Sequence, residues 1–581
     1  MKTTKNKVKN TQKVRVSPAI KARRGGVSQV QNKGYSEAGA SFVKKALKGM
    51  IPSSGDTHED IDFNNLTLRQ RSRMLYMGAP IATSAIRTNR TNVVGNGLRL
   101  KSTINREALG MTQEAAEAWQ KHTEAEFELW ASRKNACDAT GVNDFYGLQQ
   151  LAVMAWLMSG DVFAIVKRYP ATPMMPYGLR LHMIEADRVR TPVESGNMLL
   201  AGMTTGKASN GNTIYDGVEV DRNGAITAYH IANNHPFQFY GEPTEFIRVE
   251  AYGRRTGLPN VLHVMDSERP EQYRGVPYLA QVIEPLLQQR RYTEAEIMAA
   301  LVQSFHTAFI TTEAGANDMP YNEVGGDGVP EVSRDPNEYE MGPGTINIME
   351  PGEDVKFSQP THPNTGFDTF MRALSEQVGA ALEVPADLLL KAFNSSYSAS
   401  RAALLEAWKA FRMRRVWLTN DFCRPAYELW LTEAVALGRI SAPGFLTDPL
   451  IRQAYLASEW IGPSQGQLDP TKEVNAAILA IQHGLSTHAQ ESIKLNGSEF
   501  AANVALLQSE NEKLAAANTA TAKQPTTEEP KNGNEPPTGE PDGNTDPDSG
   551  DEEEKEDTQE DGKSKKAKGS PAGSRRRGQG V

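Results

Sequence analysis

A helix-rich α+β fold is what the sequence predicts, and three observations predict it. Val162, Ala164 and Val166 alternate along 161–168, and 179–184 reads as a second strand. Asp221-Arg222-Asn223-Gly224 separates apolar stretches at 217–220 and 226–231, and its Asn-Gly pair is a strong hairpin signal. Three segments, 276–311, 366–383 and 401–437, repeat apolar residues at three- and four-residue steps over lengths that suit helices rather than strands.

In chain order, residues 1–59 form a basic N-terminal arm expected to be mostly disordered. Lys2, Lys5, Lys7, Lys9, Lys13, Arg15, Lys21, Arg23 and Arg24 cannot build a core. From Asp60 the pattern turns helical. Leu66, Leu68, Met74 and Leu75 precede Pro80, and 81–92 reads as a helix. Gly95-Asn96-Gly97 superficially resembles a dinucleotide loop. It lacks the third glycine and a following helix, so it is read as a turn into a strand at 98–100. A helix over 113–130 faces Ala116, Trp119, Phe127 and Trp130 inward, and another covers 146–159. Residues 261–265 close the mixed region as a last strand.

Residues 276–311 are expected to be one long helix, with Pro285 bending it near its start. Glycine-rich turns follow through 313–358, with short strand signals at 345–349 and 355–357. A helix over 366–383 presents Phe367, Phe370, Leu374, Val378, Ala381 and Leu382 on its apolar side. A polar loop then leads into a very long helix on which Leu404, Trp408, Phe411, Leu418 and Phe422 share one face. Ser398 or Ser400 suits its N-cap, Pro425 should kink it or end its first half, and Gly438 should stop it. Arg401, Lys409 and Arg412 fall on a neighbouring arc roughly 80° wide. Further helices are expected over 470–484, from Ser486, and over 499–518. Residues 519–581 are low complexity, running from Asp551-Glu552-Glu553-Glu554 into Arg575-Arg576-Arg577, and are expected to be disordered.

With 581 residues, 39% hydrophobic and 23% charged, the composition is that of a soluble globular protein, and the net charge of −8 hides the basic arm and the mixed tail. Cys137 and Cys423 are the only cysteines, too few for a disulfide framework or a cysteine metal site. No run of 18 apolar residues is present, so no membrane span is expected, and no apolar signal core suggests secretion.

The sequence offers no catalytic constellation. Gly206-Lys207-Ala208 lacks the glycine spacing and hydroxyl of a phosphate loop, and His-Glu-x-x-His is absent. Asp56, His58, Glu59, Asp60 and Asp62 are the densest ligand-like cluster, read as a solvated acidic loop rather than a metal site. Cys137 has no histidine near it in sequence and reads as a buried structural thiol. No cofactor is expected.

Several separate motifs, in order, carry a resemblance: Met349-Glu350-Pro351-Gly352-Glu353, Ser396-Tyr397-Ser398-Ala399-Ser400-Arg401-Ala402 with Glu406-Ala407-Trp408 and Arg414-Arg415, Glu459-Trp460-Ile461-Gly462-Pro463, Lys472-Glu473-Val474 and Gly484-Leu485-Ser486-Thr487. Over residues 60–510 the chain resembles the lambda-like family of portal proteins of tailed bacteriophages. The resemblance implies a portal fold with wing, stem, clip and crown, and a ring, usually a dodecamer, at one vertex of the phage head. DNA is packaged and ejected through its centre.

On that pattern 60–270 would be the wing, 271–311 and 361–383 the two stem helices and 312–360 the clip. Residues 384–400 would be the tunnel loop, 401–438 the long wing helix and 439–518 the crown. Asn394, Ser395, Ser396, Tyr397 and Ser398 would touch the duplex, while Arg401 and Arg412 would serve subunit contacts. Arg372, Ser375, Glu376 and Gln377 would turn the polar side of the second stem helix toward the channel. The implied partners are further copies of the chain, double-stranded DNA, the terminase large subunit, a major capsid or scaffold protein and a head-completion protein. The implied place is the virion, and the host cytoplasm during assembly. Competing readings are a hydrolase of the packaging apparatus, against which the missing phosphate loop argues, and a DNA-binding adaptor acting through the basic arm.

Overall fold

The computed structural model describes residues 45, 49, 55–192, 204–238, 243–304, 308–312, 353–357, 366–393, 396–466 and 470–521. The basic arm, most of the clip, Asn394, Ser395 and nearly all of the charged tail lie outside the described residues. The described residues up to Leu507 belong to one compact unit, and those from Gln508, the end of the last helix, to a second.

A π-helical turn, His58–Asp62, leads into α1 (Phe63–Gly78) and α2 (Pro80–Val93), where Pro80 takes the first helical position and needs no N–H. The turn Gly95-Asn96-Gly97 follows, with φ of +58° and +119° at its glycines. A Cβ at Gly97 would meet the Tyr146 ring at 2.4 Å, so only glycine fits there. After β1 (Arg99–Ser102) come α3 (Gln113–Ala131), capped by Thr112, then α4 (Lys134–Cys137) and α5 (Phe145–Ser159), capped by Asp144.

Strands β2 (Asp161–Arg168), β3 (Leu179–Glu185), β4 (Thr205–Lys207), β5 (Thr213–Tyr215), β6 (Val218–Val220), β7 (Ile226–Ala232), β8 (Phe246–Glu250) and β9 (Val261–Met265) make two antiparallel sheets. One has the order β3-β2-β9, and the other is a five-stranded meander, β4 to β8. The Asn-Gly hairpin forms as expected between β6 and β7, and Asp221 Oδ1 accepts from the amides of Asn223 and Ala225. Phe163, Ile184, Val218, Val220, Tyr229 and Ile231 fill a small core between the sheets.

The expected 276–311 helix is shorter. Pro277 opens a single 3-10 turn, and α6 runs Ile283–Ser304. Residues Ala308–Thr312 are instead a strand, β10, paired antiparallel with β11 (Glu353–Phe357), which contains the expected 355–357 strand. Its Phe-Ile-Thr-Thr run suits a strand better than a helix end. The expected strand at 345–349 lies outside the described residues. Next come α7 (Phe367–Ala381) and α8 (Ala386–Leu390), a short helix inside what the sequence reads as loop.

Helix α9 (Tyr397–Leu418) is capped by Ser396 rather than Ser398 or Ser400, its hydroxyl oxygen accepting from the Ala399 amide. Pro425 acts as expected. The helix widens into a π turn at Thr419–Cys423 and resumes as α10 (Arg424–Ala436), with Pro425 in its first turn, so the missing N–H and the ring are accommodated without a sharp break. Gly438, at φ +69°, stops the chain there.

Helix α11 (Pro449–Leu456) and β12 (Ser458–Ile461) follow, then α12 (Pro470–Gln482), α13 (His488–Asn496) and α14 (Phe500–Thr521). Strand β12 pairs antiparallel with β1 across 360 residues of sequence, Leu100 opposite Trp460. Phe445, Tyr455 and Trp460 are buried in the main core. The chain through Ile461 therefore packs with the main core, because its aromatic side chains are spent there.

The main core is aromatic. Phe127 meets Trp430 edge-on at 5.1 Å and Phe145 at 5.6 Å, while Phe145 stacks on Phe422 at 5.7 Å and Trp130 lies 5.2 Å from Phe145. Trp430 thus ties α10 to α3 and lies wholly buried. Trp430→Ala should cost about 3–5 kcal/mol, measured as a lowered urea midpoint for the full chain.

Candidate functional site

The polar loop is built from below, on one face of α2. Ser84, Thr88 and Asn92 recur at four-residue steps, with Asn89 beside them, so a helix made of short polar residues offers a row of donors and acceptors. Ser84 Oγ donates to the Leu389 carbonyl at 2.6 Å and Lys391 Nζ donates to Thr88 Oγ1 at 2.7 Å, which holds α8 against α2. Lys391 itself adopts the left-handed conformation, φ +56°, that ends α8.

Two adjacent arginines then fix α9. Arg414, buried, donates to Asn89 Oδ1 at 3.0 Å and to Glu383 Oε2 at 2.7 Å, and lies 4.9 Å over the Tyr278 ring. Tyr278 donates to the Leu382 carbonyl at the end of α7. Arg415 donates to the carbonyls of Val93 at 2.9 Å, Asn92 at 2.8 Å and Pro463 at 2.9 Å, so it also caps the C-terminal end of α2. Burial, with Arg412 nearby, brings the Arg415 guanidinium down to about 10, still charged at neutral pH.

At the far end of α9, Ser396 and Ser398 are exposed, their hydroxyl oxygens 3.3 Å apart. Asn394, Ser395 and the Tyr397 side chain lie outside the described residues. Arg401 is half-exposed, its Nη2 3.9 Å from Glu473 on α12, and Arg412 is exposed one turn before the buried pair. Lys409 pairs with Glu406 at the surface.

Helices α6 and α7 lie side by side. Tyr292 packs against Phe367 at 5.5 Å and Phe370 at 5.0 Å. Ser375, expected on the polar side, is buried and accepts from Gln289 Nε2 at 2.9 Å. It is a contact between the two helices, since a lone serine can be buried when one facing amide satisfies it. Glu376 and Gln377 are exposed, and Arg372 reaches Glu376 and Asp387 at 3.5 Å each.

The remaining candidates find partners inside the fold. In the 56–62 cluster Asp60 pairs with Arg269 at 2.6 Å, His58 contacts Asp62 at 3.1 Å and Asp56 accepts from the Glu59 amide. Cys137 is fully buried, and burial pushes its thiol up to about 12, as expected of a structural cysteine. Among the described residues, Glu185, Asp187 and His235 are the grouping with metal-ligand character, within 4.8 Å of one another, but Asp187 is already paired with Arg73.

A family model described as "Phage portal protein, lambda family" matches residues 44–415, more than half of the chain. The chain belongs to the lambda family of phage portal proteins. It is 22% identical to the portal protein of Escherichia phage N15 over 494 residues, covering 82% of this chain and 90% of that one. It is equally similar, 22% over 493 residues (82% and 89%), to portal protein B of Escherichia phage lambda. The solved neck of a native gene transfer agent particle, computed with C12 symmetry, aligns over 74% of this chain and 93% of that one, at 14% identity and a TM-score of 0.38. The family's role, a channel for DNA packaging at the capsid, comes with membership, as does a place in the virion, and no helix among the described residues is long and apolar enough to cross a membrane.

What the sequence reading missed in this portal chain is the buried charge between the first helices and the two sheets. Arg274, wholly buried, grips Asp161 at 2.6 and 3.2 Å and Asp216 at 2.7 Å, and donates to the carbonyls of Val189 at 2.8 Å and Ala186 at 2.9 Å. Arg69 adds a contact to Asp216 at 3.2 Å. Burial alone would raise the Asp161 carboxyl, but Arg274 and Arg69 hold it well below the ordinary carboxylate range. Nothing in the spacing of 69, 161, 216 and 274 signals this meeting.

Two predictions follow from this geometry. Arg414→Ala should cost about 1–3 kcal/mol by stranding the buried Asn89 carbonyl and should speed hydrogen exchange across 386–393, whereas Arg412→Ala should leave that exchange unchanged. Asp62 is raised to about 6 by burial and by Asp216. An acid raised in the folded state favours the fold while protonated, so its contribution fades as pH rises through about 6. Asp62→Asn, neutral throughout, should therefore gain Tm over wild type on moving from about pH 5 to about pH 7.5.

Proposed function

We propose that copies of this chain close into a ring, with the Asn394–Ser398 loop at the wall of a channel carrying double-stranded DNA. The observation that carries this reading is the loop's construction: exposed hydroxyls at the tip of α9, whose other half is bolted to α2 by Arg414 and Arg415. A rigid lever tipped with short uncharged groups suits steric contact with a moving duplex. Several phosphate-neutralising contacts per copy would bind strongly and resist sliding.

A ring closes when each copy presents two different complementary faces. Arg412, which is exposed, would meet a neighbour. Arg401 already shares Glu473 of its own chain, a half-exposed pair worth at most about 1 kcal/mol, which leaves it able to serve a neighbour as well. Helices α6 and α7 would be the stem and the β10–β11 pair the base of the clip, which would dock the terminase large subunit during packaging and a head-completion protein afterwards. The wing would run through Ile461 apart from these segments, and the crown would start at Pro470, facing the head interior and its capsid or scaffold protein. The chain itself would be a conduit and no enzyme, so the purified protein should turn over no ATP without terminase.

Replacing Ser396 and Ser398 together by Trp should leave ring formation intact and reduce DNA packaged in vitro at least tenfold. Unchanged packaging by intact Ser396→Trp/Ser398→Trp rings would overturn the loop's assignment.

A further inference from the structure

A groove of about 460 Å³ runs between the end of α7 and the middle of α9. Its floor is made of small groups, Ala380, Pro385, Ala386 and Ala410, and Glu376, Glu383 and Glu406 stand on its rim. Against these three acids the lining holds one base, Lys409. The acids contact Arg372, Arg414 and Lys409 of their own chain. A carboxylate has two oxygens, however, and accepts from more than one donor.

Helix α1 turns a surface of the opposite kind outward. Phe63, Thr67, Gln70, Met74 and Met77 follow one another at steps of four, three, four and three. At about 100° per residue they share an arc of about 80°. All five are exposed, Met74 at 48% and Met77 at 79%. Arg71, exposed beside them, makes no ion pair among the described residues. Arg290 of α6, also exposed, lies against Gly78 at the end of the same helix.

We propose that the outer face of α1 in one copy lies in the α7–α9 groove of the next copy round the ring. Methionine is unbranched and polarizable, so Met74 and Met77 suit a floor built unevenly of alanine and proline. Arg71 and Arg290 would meet the acidic rim, which sets base against acid as well as apolar against apolar. An amphipathic helix anchored in an apolar groove at three- and four-residue steps is a recurrent mode of recognition.

The occupant is a second copy because the two surfaces turn apart within one chain. Glu406 and Met413, on the groove side of α9, lie about 140° round the helix from the mean direction of Arg414 and Arg415. Those arginines face α2. Helix α1 in turn lies on α2, where Thr83 Oγ1 donates to the Tyr76 carbonyl at 2.5 Å. The groove therefore opens away from the side that carries α1. Unlike surfaces turned apart are what a rotation repeats: each copy gives its helix to one neighbour and its groove to the other, with no two-fold between copies. The inference rests on the ring reading and deepens it.

The test uses the full chain carrying Met77→Cys and Ala380→Cys together, treated with a short bismaleimide. The native Cys137 and Cys423 are buried and stay out of the reaction. In assembled rings the double variant should give a ladder of covalent oligomers on a denaturing gel, at least tenfold above either single variant. Mixing the two single variants before assembly should give covalent dimers and nothing longer. Linkage of Met77→Cys to itself would mean that like surfaces meet, and would overturn the assignment. Met77→Glu, on a side chain that supports no fold contact, should lower ring yield at least tenfold by mass photometry with Tm unchanged. Intact rings in which the double variant links no better than the single ones overturn the surface alone and leave the groove to another occupant. A chain that stays monomeric overturns the surface and the ring together.

Discussion

The loop of this portal chain points where Arg414 and Arg415 make it point. A helix of 22 residues is a lever about 33 Å long, and a lever is useful only if its base cannot turn. Both guanidiniums meet their partners from inside the fold. Arg414 bridges a side chain of α2 to the acid that follows α7, and Arg415 takes up carbonyls at the end of α2. Asn89 and Val93 are wholly buried, so rotation of α9 would strand their acceptors without a partner. Lysine could not replace either arginine, because a single ammonium cannot span these divergent acceptors.

The same logic, in a drier setting, holds the first helices to the two sheets. Arg274 has no access to water, and its charge is tolerable only because Asp161, Asp216 and three backbone carbonyls surround it. Removing any one acid would leave a buried cation short of countercharge. Arg69, Asp161 and Arg274 are buried where α1, β2 and the turn before β6 meet. Strongly shifted groups usually direct attention to a site. Here they mark the joint between two sheets and the first helices.

Legibility in the sequence followed how local each signal was. The Asn223-Gly224 hairpin, the alternating strands β2 and β3 and the Gly438 stop were readable because turn chemistry and side-chain period act within a few residues. Pro425 was readable as an interruption, though not as a π turn, since only the packing of Phe422 and Cys423 shows how the helix adapts. The early end of α6 and the strand after it were missed because a long apolar run hides a change of period. Of the site, the serines and the basic residues of α9 were visible. Their contacts within the chain were not: Ser396 caps in place of Ser398 or Ser400, Ser375 is buried, and Arg414 and Arg415, quoted only as part of a motif, are the anchor. The polar row Ser84, Thr88, Asn92 was the signal that could have revealed their docking surface. The pairing of β1 with β12 had no local trace at all.

Cryo-electron microscopy of the purified full-length chain tests the central claim most directly. The account predicts closed rings with a central pore, the N-terminal end of α9 at the pore wall and Arg414 on Asn89 in every copy. Rings in which that end of α9 faces the outer rim, or particles with no pore, would contradict it.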